Sequence, residues 1–189
     1  RSIATNLIKK GTEEIVIEVP MSIEREPAQA AYDVGAGKIE AALLKGNNVV
    51  CLCEGDPFFY GSFMYIYARL IDKYRIEVVP GVTSITTCAA RAGTPLAARN
   101  ERLTVLPGPL SAEELSVRIE GAESVAILKV GRHLEKIRVV IEGLGLSAQA
   151  TYVERASLPD ELVCPLIDAP KKAPYFSMII ITKGADPWL

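Results

Sequence analysis

The run Asn48–Cys53 (NVVCLC) does most to limit what this chain can fold into. It is too short for a helix, apolar on consecutive positions, and ends at Gly55-Asp56-Pro57, so it reads as a strand buried on both faces of a parallel sheet. Phe63–Leu70 (FMYIYARL) then has helical spacing, and Arg75–Val79 (RIEVV) returns to strand character before Pro80-Gly81. Parallel neighbours cannot be joined by tight turns, so this alternation calls for right-handed crossovers.

The same pattern extends both ways. Ile15–Val19 reads as a strand, and Pro27 opens a helical stretch running through Ala30, Ala31, Val34 and Leu43 to a stop at Gly46. Ser84–Ala92 is a further helix, stopped by Gly93 and Pro95. In the second half, strands are expected at Leu103–Leu106, Val125–Val130 and Ala150–Val153, with helices at Glu113–Ile119 and Leu134–Leu144. Leu162–Pro165 and Ser177–Thr182 follow as strands with no helix between them, which predicts a mixed sheet. The expected fold class is α/β, with two α/β domains, an N-terminal parallel sheet and a C-terminal mixed sheet. The polar stretch AARNER (97–102) marks the boundary, giving domains 1–98 and 99–189. No repeat of fixed period is visible.

Hydrophobic residues make up 49% of the 189, enough for a real core. The formal charge of -2 and the isolated pair Lys9-Lys10 offer no footprint for nucleic acid, so a small-molecule partner is expected. No apolar run approaches the roughly 20 residues of a membrane span, and no signal-peptide pattern opens the chain, which reads as soluble and cytoplasmic. Of the four cysteines, Cys51 and Cys53 form a C-x-C inside the apolar run; with His133 far away, this matches no zinc knuckle. On a strand these two thiols point to one face and are expected to be buried structural cysteines, and no metal ligands are assigned.

Two turns at strand ends can carry chemistry, because ligands of open α/β sheets bind at the carboxyl ends of strands. In Cys53–Gly61 (CEGDPFFYG), Gly55 permits close backbone approach, Pro57 fixes the turn, and Asp56 supplies a carboxylate. An ordinary turn with Asp56 as helix cap explains the same residues. In Val79–Ser84 (VPGVTS), the hydroxyls of Thr83 and Ser84 suit a ligand's heterocycle or simply cap a helix. Other motifs fail. Gly35-Ala36-Gly37-Lys38 lacks a phosphate loop's first glycine and its final Ser or Thr, since Tyr32 and Ile39 stand there, so it reads as a closely packed helix surface. There is no G-x-G-x-x-G, and no G-x-S-x-G supports His133 as a triad member.

CEGDPFFYGSF, VVPGVTS, GTPLAARNERLTVLPG, ILKVGR, YVERAS and PYFSMIIITKG, in that order and over nearly the whole chain, resemble the tetrapyrrole (corrin and porphyrin) methylase family. The form CEGDPFFYGSFMY is similar to the branch that methylates carbon-20 of precorrin-2, with or without cobalt in the ring. The resemblance implies a homodimer of two α/β domains with S-adenosylmethionine in the cleft between them. It places cofactor contacts at Glu54, Gly55, Asp56, Phe59, Thr83, Ser84, Val130, Ala156 and Ser177, the last within a backbone stretch from Tyr175. Glu54, Val130 and Ala156 stand where relatives carry Gly, Met or Gly. The family's opening strand and G-x-G-P-G-D-P loop have no match here, so the chain as given is expected to be incomplete.

Methyl transfer from a sulfonium needs in-line positioning and no enzyme nucleophile, in keeping with the missing Ser-His and Cys-His motifs. A substrate rich in carboxylates calls for arginines, and Arg91, Arg99, Arg102 and Arg132 are candidates, each equally readable as a solvated surface residue. Tyr60 is a substrate candidate that suits core packing equally well. Alternatives are a family member with another acceptor, or a domain that binds an adenosyl ligand without turnover.

Overall fold

The computed structural model describes residues 4–20 and 26–184. The chain divides into two compact units, Arg1–Gly81 and Val82–Leu189. The sequence places the boundary between residues 98 and 99. The difference is one helix, Ser84–Ala92, whose Ile85, Cys88 and Ala89 pack against the sheet of the second unit.

In the first unit, α1 (Glu26–Leu44) and α2 (Phe63–Leu70) lie together. Tyr32, Ala36 and Ile39 recur at helical spacing on α1 and meet Ile66 and Leu70 of α2. Polar ties add to this: Arg69 Nε donates to Asp33 at 2.6 Å, Lys73 pairs with Glu40 at 3.0 Å, and Tyr32 stacks on Tyr65 with centroids 4.8 Å apart. Gly35 is the close-packing point that the sequence suggests, because a Cβ there would stand 2.6 Å from Ile17 Cδ1.

Here the structure corrects one expectation. Among its described residues the first unit contains no hydrogen-bonded strand; Ile15–Val19, Asn48–Cys53 and Arg75–Val79 run without ladders, and the expected parallel sheet is not formed. Ile15, Ile17, Val19, Val49 and Ile76 do pack on the core, but Val50, Leu52 and Val79 are exposed, and so are Cys51 and Cys53, contrary to the expected burial. An apolar run reports which side chains favour burial, whereas a strand exists only where a neighbour takes its N–H and C=O groups. Cys88 is buried, and burial pushes its thiol up to about 11; Cys164 is half-buried.

The second unit follows the sequence closely. After α3 (Ser84–Ala92) come β1 (Leu103–Pro107), α4 (Ala112–Glu120), β2 (Ser124–Leu128), α5 (Leu134–Gly143), β3 (Ala150–Glu154), β4 (Leu162–Pro165) and β5 (Ser177–Thr182). One turn of 3-10 helix, Leu166–Asp168, lies between β4 and β5, where no helix was expected. Local signals set the boundaries. Gly93 ends α3 in the left-handed region at φ +63, and Ser111 and Glu114 form a reciprocal capping box on α4.

The sheet order is β1-β2-β5-β3-β4, with β1 and β2 parallel and β5 antiparallel to both β2 and β3. β1, β2 and β3 therefore share one direction, and β5 runs back between β2 and β3. Side chains alternate with period two. Val125, Ile127, Tyr152, Ile179 and Ile181 face the core that includes Leu115, Ile119, Ile137 and Ile141 of α4 and α5; Ala126, Leu128, Val153, Met178 and Ile180 face α3. Ile127 is completely buried in β2. Its replacement by alanine is expected to cost about 2–5 kcal/mol and by valine about 0.5–1.5 kcal/mol, read from urea unfolding.

Candidate functional site

In the first unit the turn after the apolar run is held by Asp56. One carboxylate oxygen accepts from Phe58 N–H at 2.9 Å and the other from Gly81 N–H at 3.0 Å, so Asp56 joins the two loop segments that the sequence singles out. These N–H groups, Gly81 first, hold its carboxyl below the usual range. Gly55 has φ +75, and Gly81 fits tightly against it: a Cβ on Gly81 would stand 2.2 Å from the Gly55 carbonyl oxygen. Gly81 is thus required as glycine, a role that the Pro-Gly dipeptide signals but that the motif reading did not assign. Glu54, Phe59 and Tyr60 are exposed, Tyr60 in the left-handed region at φ +55 with its ring against Phe59. Core packing of Tyr60 is therefore not what the structure shows.

In the second unit the β5 insertion gathers three expected residues. The carboxyl ends of β2 and β3 and the amino end of β5 lie at one end of the sheet, where Ser177 is paired with Glu154. Val130 follows β2, fully buried, and Ala156 follows β3. The Ser177 hydroxyl donates to Pro174 C=O at 2.7 Å and accepts from Gly131 N–H at 3.4 Å, tying the β2 and β5 sides together. β2 stops at Leu128, short of the expected Val130, because Lys129 turns into the left-handed region at φ +55. Arg155 (φ +49) and Ser157 (φ +66) do the same on either side of Ala156. Such backbone is uncommon outside glycine and clusters at functional sites. Close approach recurs at Gly108, whose N–H bonds Leu128 C=O at 2.7 Å.

The remaining candidates divide. Thr83 caps α3, its hydroxyl accepting from Thr86 N–H at 3.3 Å, and Ser84 is exposed at the first position of that helix. Arg132, exposed beside Gly131, donates to His133 Nε2 at 3.3 Å and has no carboxylate partner among the described residues. Burial, with the charges of Lys136 and Arg132, pushes His133 down, keeping it neutral near pH 7. Arg91 is committed to Glu161 at 2.7 Å. Arg102 pairs with Glu123 at 2.7 Å ahead of β1 and β2, at the opposite end of the sheet from Val130 and Ala156, so the structure separates it from the other second-unit candidates. Arg99 lies in the loop before β1 with φ +47.

With this geometry in view, a family model described as Tetrapyrrole (Corrin/Porphyrin) Methylases matches residues 1–167. The chain belongs to the tetrapyrrole methylases. Among relatives of this methylase, a precorrin-2 C(20)-methyltransferase of Sinorhizobium sp is 35% identical, covering 98% of this chain and 80% of that protein. The cobalt-precorrin-2 C(20)-methyltransferase of Salmonella typhimurium is 26% identical over 96% of this chain and 78% of its own. The cobalamin biosynthesis protein CobIJ of Mycobacterium bovis is 35% identical over 97% of this chain, which spans only 38% of that protein. A solved cobalt-precorrin-4 methyltransferase superposes with TM-score 0.63 at 25% identity, over 78% of this chain and 69% of that one. A Thermus thermophilus uroporphyrin-III C-methyltransferase, solved with S-adenosylhomocysteine, shares the fold at TM-score 0.60 and 22% identity, covering 80% and 73%. Among the described residues of the methylase no helix is long and apolar enough to cross a membrane.

The structure adds residues that the motif reading passed over. Gly131 anchors to Ser177, and Tyr152, Glu154 and Arg155 lie within the quoted YVERAS, where the alternation of Tyr152 and Glu154 along a strand was the available signal. Asp56 supports a test by pH. Its folded pKa lies below the unfolded value near 3.8, so the charged form stabilises the fold above that value and this contribution is lost as pH falls through the folded pKa. Against Asp56→Asn, whose amide would set a donor against Gly81 N–H, the wild type is expected to be more stable from about pH 5 to 8, with the advantage shrinking below about pH 4. Paired urea unfolding across that range reads the difference.

Proposed function

We propose that this methylase transfers a methyl group from S-adenosylmethionine to carbon-20 of precorrin-2 or cobalt-precorrin-2 in cobalamin biosynthesis, in the cytoplasm and as a homodimer. The reading rests on the 35% identity to the Sinorhizobium precorrin-2 C(20)-methyltransferase over 98% of the chain. The dimer and the compartment are carried over from the family. The assigned cofactor contacts are Glu54, Gly55, Asp56, Phe59, Thr83, Ser84, Val130, Ala156 and Ser177.

The local chemistry suits an adenosyl ligand. Among the described residues, the Ala156 N–H and C=O have no hydrogen-bond partner, and these are groups that a purine edge or an amino-acid moiety can satisfy. S-adenosylmethionine would supply an electrophilic methyl on a sulfonium. The residues' task is then to bind and orient: the backbone at Val130 and Ala156 takes hydrogen bonds, and the exposed Arg132 suits a substrate carboxylate through its planar donors. Asp56 acts through the Gly55 and Gly81 backbone that it clamps.

Calorimetric titration of the purified protein with S-adenosylhomocysteine is expected to show saturable binding, weakened at least about tenfold by Asp56→Ala. Incubation with a ¹³C-methyl donor and each form of the substrate should place the label at carbon-20. A label on another ring carbon would replace the acceptor assignment, and a folded wild type that binds no S-adenosylhomocysteine would sink the whole reading.

A further inference from the structure

Glu154 closes β3 with its side chain only 9% exposed. One carboxylate oxygen accepts from the Tyr152 hydroxyl at 2.6 Å and the other from Arg155 Nη1 at 3.0 Å. Tyr152 is fully buried, and burial followed by the neighbouring carboxylate pushes its phenol well above the usual range, so it remains a donor at neutral pH. Arg155 reaches the other way as well, with Nε 3.2 Å from Asp160 Oδ2, while its backbone N–H bonds Phe176 C=O at 2.9 Å. Beyond it, Ser157 N–H donates to Glu161, whose carboxylate also holds Arg91.

Among the described residues, the hydrogen bonds of this turn hold Arg155 and Ser157 on either side of Ala156, and none uses Ala156 itself, whose side chain packs against the α3-facing core. The two flanking residues, Arg155 and Ser157, sit in the left-handed region that L-residues rarely adopt. Glu154 is nearly buried and Arg155 is 36% exposed; such a half-buried pair is a weak source of net stability, because desolvation and screening offset the attraction, and its best-attested use is to select one geometry. We infer that Glu154 and Arg155 are positioning residues, which hold the strained turn so that the Ala156 N–H and C=O face the ligand as a preformed pair. This rests on the reading of Ala156 as a cofactor contact.

The test is a double-mutant cycle on S-adenosylhomocysteine affinity, with Glu154→Gln, Arg155→Gly and both together. Glu154→Gln is expected to raise Kd about tenfold. Glycine adopts a φ near +50 freely, so in the Arg155→Gly background there is nothing left to hold, and adding Glu154→Gln should change Kd by less than about twofold. Unchanged affinity in Glu154→Gln, or the same loss in both backgrounds, overturns the positioning role. A ligand-free measurement separates this from the cofactor reading: in ¹⁵N-labelled protein, Glu154→Gln should broaden or shift the Ala156 and Ser157 amides, and unaltered amides reject the inference even if nothing binds. A wild type that binds no S-adenosylhomocysteine fails the cofactor reading alone. Should Glu154→Gln not fold, Asp160→Asn removes the exposed second anchor and is expected to raise Kd about threefold with an unchanged unfolding midpoint.

Discussion

The antiparallel entry of β5 between β2 and β3 is the constraint on which the rest of the second unit depends. Two parallel strands separated by one running the opposite way present their carboxyl ends beside its amino end. Loops leaving β2 and β3 thereby meet the loop entering β5, although Val130, Ala156 and Ser177 are distant in sequence. Near-complete burial of the strands secures the register, since a slip of one residue would exchange the α3-facing and α5-facing sets.

How well the sequence could be read follows from what each signal measures. Helical spacing locates Phe63–Leu70, and spacing plus the stop at Gly93 locates Ser84–Ala92, as observed, because the buried face and the terminus are local properties. The second-unit strands were equally legible, each having a covered face and a paired neighbour. The run NVVCLC was not, since its hydrophobicity says nothing of who supplies the ladder, and Val50 and Leu52 are exposed. The placement of α3 was hidden for a related reason: its apolar face was evident, but which sheet it covers is a tertiary matter.

For the candidate residues, motif order marks loops, while the structure shows what each side chain holds. Asp56 is expected as a ligand contact, yet both its oxygens are engaged by backbone N–H groups, so what the structure shows it doing is joining two turns. The arginines show the limit of residue type. Arg91 and Arg102 pair with Glu161 and Glu123, partners 70 and 21 residues away that no local pattern announces. Those pairs are exposed and screened, so they locate side chains more than they stabilise the fold.

Methyl transfer from a sulfonium needs positioning rather than an enzyme nucleophile, and a backbone that positions anything must itself be held. Glycine is the inexpensive way to reach a left-handed turn, and Gly55 and Gly93 use it. Lys129, Arg155 and Ser157 do not; a non-glycine residue there costs about 1–2 kcal/mol. Charged hydrogen bonds of about 1.5–3 kcal/mol in a protected setting are large enough to offset such a cost. Arg155 has that compensation in part: its guanidinium bonds the nearly buried Glu154 carboxylate, while its contact with the exposed Asp160 is screened. The gain over glycine is rigidity: a glycine turn samples both hands, whereas an arginine pinned on two sides stays in one. The ordering cost is then met when the chain folds, not when ligand binds, which is the physical content of preorganisation.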